Sequence, residues 1–147
     1  MRVLIDEDTA VQLHEPLQHV LIRHEVDHIT TRGWSGKKDP NVLADAKRAG
    51  YHVIITRDRN QLNDPGECND IKKSGLHHIR YGQRQQGARG LALALGALIA
   101  AMPMIMDELE RADSQRLVRV AGLNPEPRHR YTITNPRVDP PSPYWPR

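Results

Sequence analysis

Asp6, Glu7 and Asp8 follow the apolar run Met1 to Ile5 without a break, and Asp58 follows a second apolar run, Tyr51 to Thr56, after a single arginine. Neither run alternates apolar with polar residues, which is how strands buried on both faces of a parallel sheet read. The acids then stand at the carboxyl ends of strands, the edge at which open α/β sheets bind ligands. Carboxylates brought together there repel unless a cation joins them, and hard oxygen donors suit Mg²⁺ or Mn²⁺. A third acid, Asp39, stands before Pro40 at an expected helix start. A divalent ion held by two or three carboxylates keeps positions open for a phosphate oxygen and an attacking water, the requirement for phosphodiester hydrolysis. Cations adjoin these acids in the chain: Lys37 and Lys38 before Asp39, Arg57 and Arg59 around Asp58. They can hold a nucleic-acid backbone or offset charge in the transition state. Glu7 is a further candidate ligand or proton acceptor, ranked behind Asp6 because neighbours in an extended segment point opposite ways. Trp34, in the loop Gly33 to Gly36, can stack on a base.

These side chains need a sheet to gather them. Thr9 to Arg23 carries apolar residues mostly at helical spacing, with Pro16 predicting a kink or a late start. Glu25 to Thr30 alternates as a short strand. Asp39 as N-cap and Pro40 at the first helical position predict a helix to about Ala49, stopped by Gly50 ahead of the strand Tyr51 to Thr56. Asn63 to Gly66 is turn chemistry, Glu67 to Lys73 a short helix closed by Gly75, and Leu76 to Tyr81 a fourth strand. Gly87 to Ala112 reads as a long helix bent at Pro103. Arg116 to Val120 and Arg130 to Thr134 can pair as a hairpin or extend the sheet edge. Strand and helix in alternation predict an α/β fold, a mainly parallel central sheet flanked by helices. A domain over residues 1–122 and a Pro-rich C-terminal extension over 123–147, read as a tail or docking arm, complete the division.

At 147 residues the chain is long enough for one well-filled core, which without Phe must be built from Leu, Val, Ile and Ala. A formal net charge of +3 is a mild bias toward polyanions. The single Cys68 excludes an internal disulfide and a cysteine-built zinc site, which fits a reducing cytoplasm. The start has no apolar leader segment, and the uncharged run Leu91 to Met106 falls short of the roughly 18 to 20 residues that span a bilayer. That run predicts a buried core helix or a homodimer surface and no membrane partner. The eight His residues are scattered, and His77 and His78 would face opposite sides of a strand, so they make a poor metal site.

The segment Met1 to Asp8, Asp39 opening a helix after a Gly-containing loop, and Ile54 to Asn60 together resemble the compact PIN-like nucleases, a group that includes toxins of bacterial toxin–antitoxin pairs. The likeness covers roughly the first eighty residues. It implies a PIN-like three-layer sandwich in which Asp6, Asp39 and Asp58 bind Mg²⁺ or Mn²⁺ and carry out catalysis with Glu7. It implies a metal-dependent endoribonuclease acting on RNA, with an antitoxin protein as a further partner. Arg57, Arg59, Lys37, Lys38, Asn60 and Trp34 are then substrate-binding candidates. Family members often carry another acid two residues beyond the one matched by Asp58, where this chain has Asn60. Asn offers a carbonyl oxygen but no charge, so one metal would be held well and a second poorly.

Each residue also has a structural reading. Asp39 is a good N-cap, Asp58 can cap the turn after its strand with Asn60 assisting, and Asp8 is assigned mainly to capping the first helix. Arg57 and Arg59 can be salt-bridge partners of the acids, and Trp34 can pin its loop to the core. Two other functions compete with the nuclease. One is a catalytically inactive PIN-like module that binds RNA or protein, supported by Asn60 and the Pro-rich tail. The other is a phosphoacceptor signalling domain with Asp58 as acceptor. That domain needs Thr or Ser at the end of the fourth strand and Lys at the end of the fifth, where this chain has Arg80-Tyr81 and Ala121-Gly122.

Overall fold

The computed structural model describes every residue except Lys37, Lys38 and Arg59, and of Asp39 and Pro40 the backbone alone. Its elements in chain order are β1 (Arg2–Ile5), α1 (His14–Val20), β2 (Glu25–His28), α2 (Asp39–Arg48), β3 (Val53–Arg57), α3 (Pro65–Ser74), β4 (His77–Tyr81), α4 (Gly87–Glu110), β5 (Leu117–Val120) and β6 (Tyr131–Thr134). The apolar runs become the strands because each Val, Ile or Leu finds a covered face. β3 is buried from Val53 through Thr56, and β1 from Val3 through Ile5. The α/β expectation holds.

Local chemistry sets the helix ends. A short 3-10 turn, Val11–Leu13, precedes α1, and Pro16 sits in the first turn of that helix, where its missing N–H costs little. Asp64 caps α3 by accepting the Glu67 N–H at 2.9 Å, and Pro65 occupies the first helical position, so the helix starts two residues earlier than expected. Gly75 ends it with φ at 67°, a left-handed conformation that glycine adopts without strain. α4 runs through Pro103 as one element of 24 residues.

The six strands are ordered β2-β1-β3-β4-β5-β6. The first five are parallel and β6 is antiparallel to β5, so the last two strands form an antiparallel pair and extend the sheet edge at once. Helices cover both faces, an arrangement compatible with a three-layer sandwich. α1 and α4 close one face over Val3, Ile5, Val53, Ile55, Ile79 and Val118. On the other face α2 packs over Leu4 and Ile54, while α3 packs over Leu117 in a separate cluster with Leu62, Cys68, Ile71 and Trp145. The Pro-rich end therefore docks on its own domain: Trp145 is buried, and Lys72 Nζ donates to the Pro146 carbonyl at 2.7 Å.

By length and composition α4 is the one candidate for a membrane span among the described residues. Ala94, Leu98, Met102, Ile105 and Leu109 nonetheless pack one side of it against the domain. At 24 residues the helix extends beyond the run Leu91 to Met106, which alone is too short to cross a bilayer.

From β1 the chain passes to β2 on one side and then returns to β3 on the other. That reversal is the topological switch point, and the crevice it opens at the carboxyl ends of β1 and β3 is where such sheets take ligands.

Candidate functional site

Asp6 leaves β1 at this crevice, its N–H still bonded to the Ile55 carbonyl of β3 at 2.8 Å. Asp6 and Thr56 lie on the α2 and α3 side of the sheet, as Leu4 and Ile54 do, because side chains alternate along a strand. The buried Thr56 hydroxyl is 3.2 Å from Asp6 Oδ2 and 3.1 Å from Asp8 Oδ2. A hydroxyl has one hydrogen, so it donates to one of these carboxylates at a time and holds both in reach of a single point. Asp8 also accepts the Arg57 N–H at 3.1 Å. The expectation that Asp8 caps the first helix is therefore corrected: neither Val11–Leu13 nor α1 has a side-chain cap, and Asp8 turns across to the end of β3.

The acidic loop is clamped from behind. His28, buried at the end of β2, accepts the Thr30 N–H on Nδ1, so its Nε2 carries the hydrogen that donates to the Thr9 carbonyl at 2.8 Å. The Tyr81 hydroxyl meets Thr9 Oγ1 at 3.0 Å from the other side. Three strands thus fix the turn that presents Asp6 and Asp8. Glu7 points elsewhere: it is exposed and accepts the Gly36 N–H at 3.2 Å, tying this turn to the loop before α2.

Asp58 lies beyond β3, with its N–H bonded to the Tyr81 carbonyl at 2.7 Å. Its Oδ1 accepts the Asn60 N–H at 3.1 Å, the turn-capping role, and its Oδ2 lies 3.9 Å from Arg119 Nε. Asn60 has φ at 61°, the only left-handed non-glycine among the described residues, a conformation Asn tolerates well. Arg57 lines a second cleft on the α4 side, together with Asp8 and Tyr81. Trp34 is half-buried, edge-on to Tyr51 with ring centroids 6.3 Å apart, and Arg32 lies over its ring. Of the α2 start, Asp39 is placed by its backbone alone, while Lys37, Lys38 and Arg59 lie outside the described residues.

Beside Asp6 opens a cleft of about 450 Å³, floored by Ile54, Thr56 and His78 and walled by Val42 and Leu43 of α2 and Ile71 of α3. Its polar lining is acidic, with Asp64, Glu67 and Asp70 joining Asp6. Glu67 and Asp70 are three apart on α3 and so share a helix face, a spacing visible in the sequence but carrying no signal there beyond that of a helix. Burial, aided by the Arg80 charge and opposed by Asp58, pushes His78 down to about 4, so its imidazole is neutral at pH 7.

The donors fit Mg²⁺ or Mn²⁺ in type: two carboxylates gathered at one hydroxyl match ions that use one or two carboxylates plus water and substrate oxygens. No group of three or more His, Cys, Asp or Glu side chains stands together as a metal cage among the described residues.

Compared with protein-family models, curated proteins and solved structures, the chain gives no significant match.

Proposed function

We propose that this chain is a PIN-like, metal-dependent endoribonuclease whose working edge is the crevice between β1 and β3. The observation that carries the reading is the meeting of Asp6 and Asp8 at the Thr56 hydroxyl, at the topological switch point of the sheet. Asp6 and Asp8, with Asp58 and Asp39 as the further acids implied by the family likeness, would hold the ion. When bound, Mg²⁺ or Mn²⁺ supplies a polarised phosphate oxygen and a water of lowered pKa.

The chain's own residues supply position. Thr56 holds two carboxylates to one point, and the His28 and Tyr81 clamp keeps their loop from recoiling. Arg57 and Arg119 offer positive charge to a phosphate backbone on either side of the acids. The toxin role and an antitoxin partner rest on the family likeness.

A second reading has its own observation. Asp58 is engaged by the Asn60 N–H and Arg119, and Asn60 brings no charge, which favours an inactive module that binds RNA without cutting it. Incubating a panel of structured and single-stranded RNAs with Mg²⁺, Mn²⁺ or EDTA separates the two. The nuclease reading expects cleavage that needs metal and falls by about 10²-fold or more in Asp6→Asn and Asp58→Asn, the scale seen when a charge-stabilising group is removed. Metal-independent cleavage, or cleavage unchanged in both variants, overturns it. RNA binding without cleavage favours the inactive module.

A further inference from the structure

One row of residues crosses the sheet at its carboxyl edge. Thr56 of β3 is in register with Arg80 of β4, Arg80 with Arg119 of β5, and Arg119 with Thr132 of β6. Register partners project to the same face, so this row begins at the acids and continues as two guanidinium groups and a hydroxyl.

Folding alone does not account for the two arginines. Like charges directly opposite on neighbouring strands destabilise a sheet. Arg23, Arg48, Arg116 and Arg128 each sit beside a carboxylate. Arg80 is half-buried, its Nε is fully covered, and that atom has no hydrogen-bond partner among the described residues. One carboxylate, Asp58, serves both arginines, reaching over β4 to Arg119 at 3.9 Å with the Arg119 side chain 62% exposed. An exposed ion pair at that distance is weak and readily exchanged for a better acceptor.

We propose that Arg80 and Arg119 form a phosphate seat for a single-stranded polynucleotide, with Asp58 as the occupant's stand-in when the strand is absent. Guanidinium groups pair with phosphate oxygens through forked hydrogen bonds. Arg119 lies three strand spacings from Asp6, roughly 14 Å, so it takes a different phosphate from the one at the acids. Thr132 continues the row as a hydroxyl donor. The polynucleotide identity rests on the nuclease reading of the neighbouring site; the seat itself rests on the arginines.

The test is binding of a short labelled single-stranded RNA in EDTA, followed by fluorescence anisotropy across a series of NaCl concentrations. Arg119→Gln and Arg80→Gln are each expected to weaken binding about tenfold to a hundredfold, the scale of a hydrogen bond to a charged group. Each should also lower the slope of log K against log salt by about 0.7 for every phosphate that is no longer neutralised. Arg119 is exposed, so its variant stays informative if Arg80→Gln unfolds. Asp58→Asn releases Arg119 and is expected to tighten metal-free binding severalfold, a gain that should vanish when Arg119 is also Gln, whereas simple loss of a negative charge would tighten binding with or without Arg119.

Unchanged affinity and slope in Arg119→Gln, or no RNA binding by the wild-type protein, overturns the seat. Inorganic phosphate that displaces the RNA far better than NaCl of equal ionic strength assigns the seat to free phosphate and overturns the polynucleotide. Binding that weakens as expected in a protein that cuts no RNA keeps the seat and removes the nuclease reading; cleavage with binding indifferent to the arginines does the reverse.

Discussion

The two faces of this sheet are built on opposite plans. On one, the 24-residue α4 and the shorter α1 close a single continuous cluster running from Val3 to Tyr131. On the other, α2 and α3 cover separate clusters, and the gap between them is the acidic cleft beside Asp6. A long helix can seal a five-strand surface without a break. Two short ones leave a seam, and the seam on this molecule lies beside the switch point. Sheet alternation then decides which side chains enter it: Asp6, Thr56 and Arg80 share the seam's face, while Ile5, Ile55 and Tyr81 belong to the sealed one.

The comparison breaks most sharply under core substitution. Met102→Ala on the sealed face should destabilise the domain by about 2–5 kcal/mol, since the residue is fully covered and its neighbours cannot collapse freely. Chemical denaturation measures this, and whatever chemistry the folded fraction has should be unchanged. Trp145→Ala on the seam side should cost about 3 kcal/mol or more by the same measurement, because the ring closes the α3 cluster with Leu62, Cys68 and Ile71. A near-neutral result there would show the tail to be an ornament rather than part of the second face.

Acid acts on both faces at once, through His77 on the sealed face and His78 on the seam's face. Burial pushes both down to about 4, so the folded protein binds fewer protons than the unfolded chain between about pH 6.5 and 4. Their contribution to stability is complete above about pH 6.5 and is lost progressively as pH falls toward 4. A thermal-melting series should show that decline, and His78→Gln should flatten it. A smaller effect is expected in the seam's acidic wall. Glu67→Gln with Asp70→Asn removes two half-buried charges, one of them in the first turn of α3, and should cost about 1 kcal/mol by the same denaturation. Any change in RNA affinity from that pair would place the strand inside the cleft.

The sequence made the strands readable, because β1 and β3 are buried on both sides and so appear as unbroken apolar runs. Asp6 and the positions of the helices followed from that. Asp8 did not: a carboxylate one residue before Thr9 looks like a helix cap, and only the sheet shows that it reaches β3 instead. The row through Arg80 and Arg119 was hidden for a related reason, since register between β4 and β5 is set by packing across the 35 residues between the two strands and not by any local pattern. Asp58 carried two readings in the sequence. Its family-implied place among the acids and its local place as a turn cap come from the same residues, and the cap is the one seen in the geometry. The Pro-rich end resisted reading because a single tryptophan, Trp145, decides that it packs.

On the proposed function, Asp6 and Asp8, the carboxylates that follow β1 and meet at the Thr56 hydroxyl, act as one cation site. Titrating Mn²⁺ into the protein and following the free-ion signal by electron paramagnetic resonance tests this without requiring any substrate. The wild-type protein is expected to bind the ion, with binding about tenfold or more weaker in both Asp6→Asn and Asp8→Asn, the variants remaining folded by circular dichroism. No Mn²⁺ binding by the wild type, or equal binding by all three proteins, would contradict a shared site.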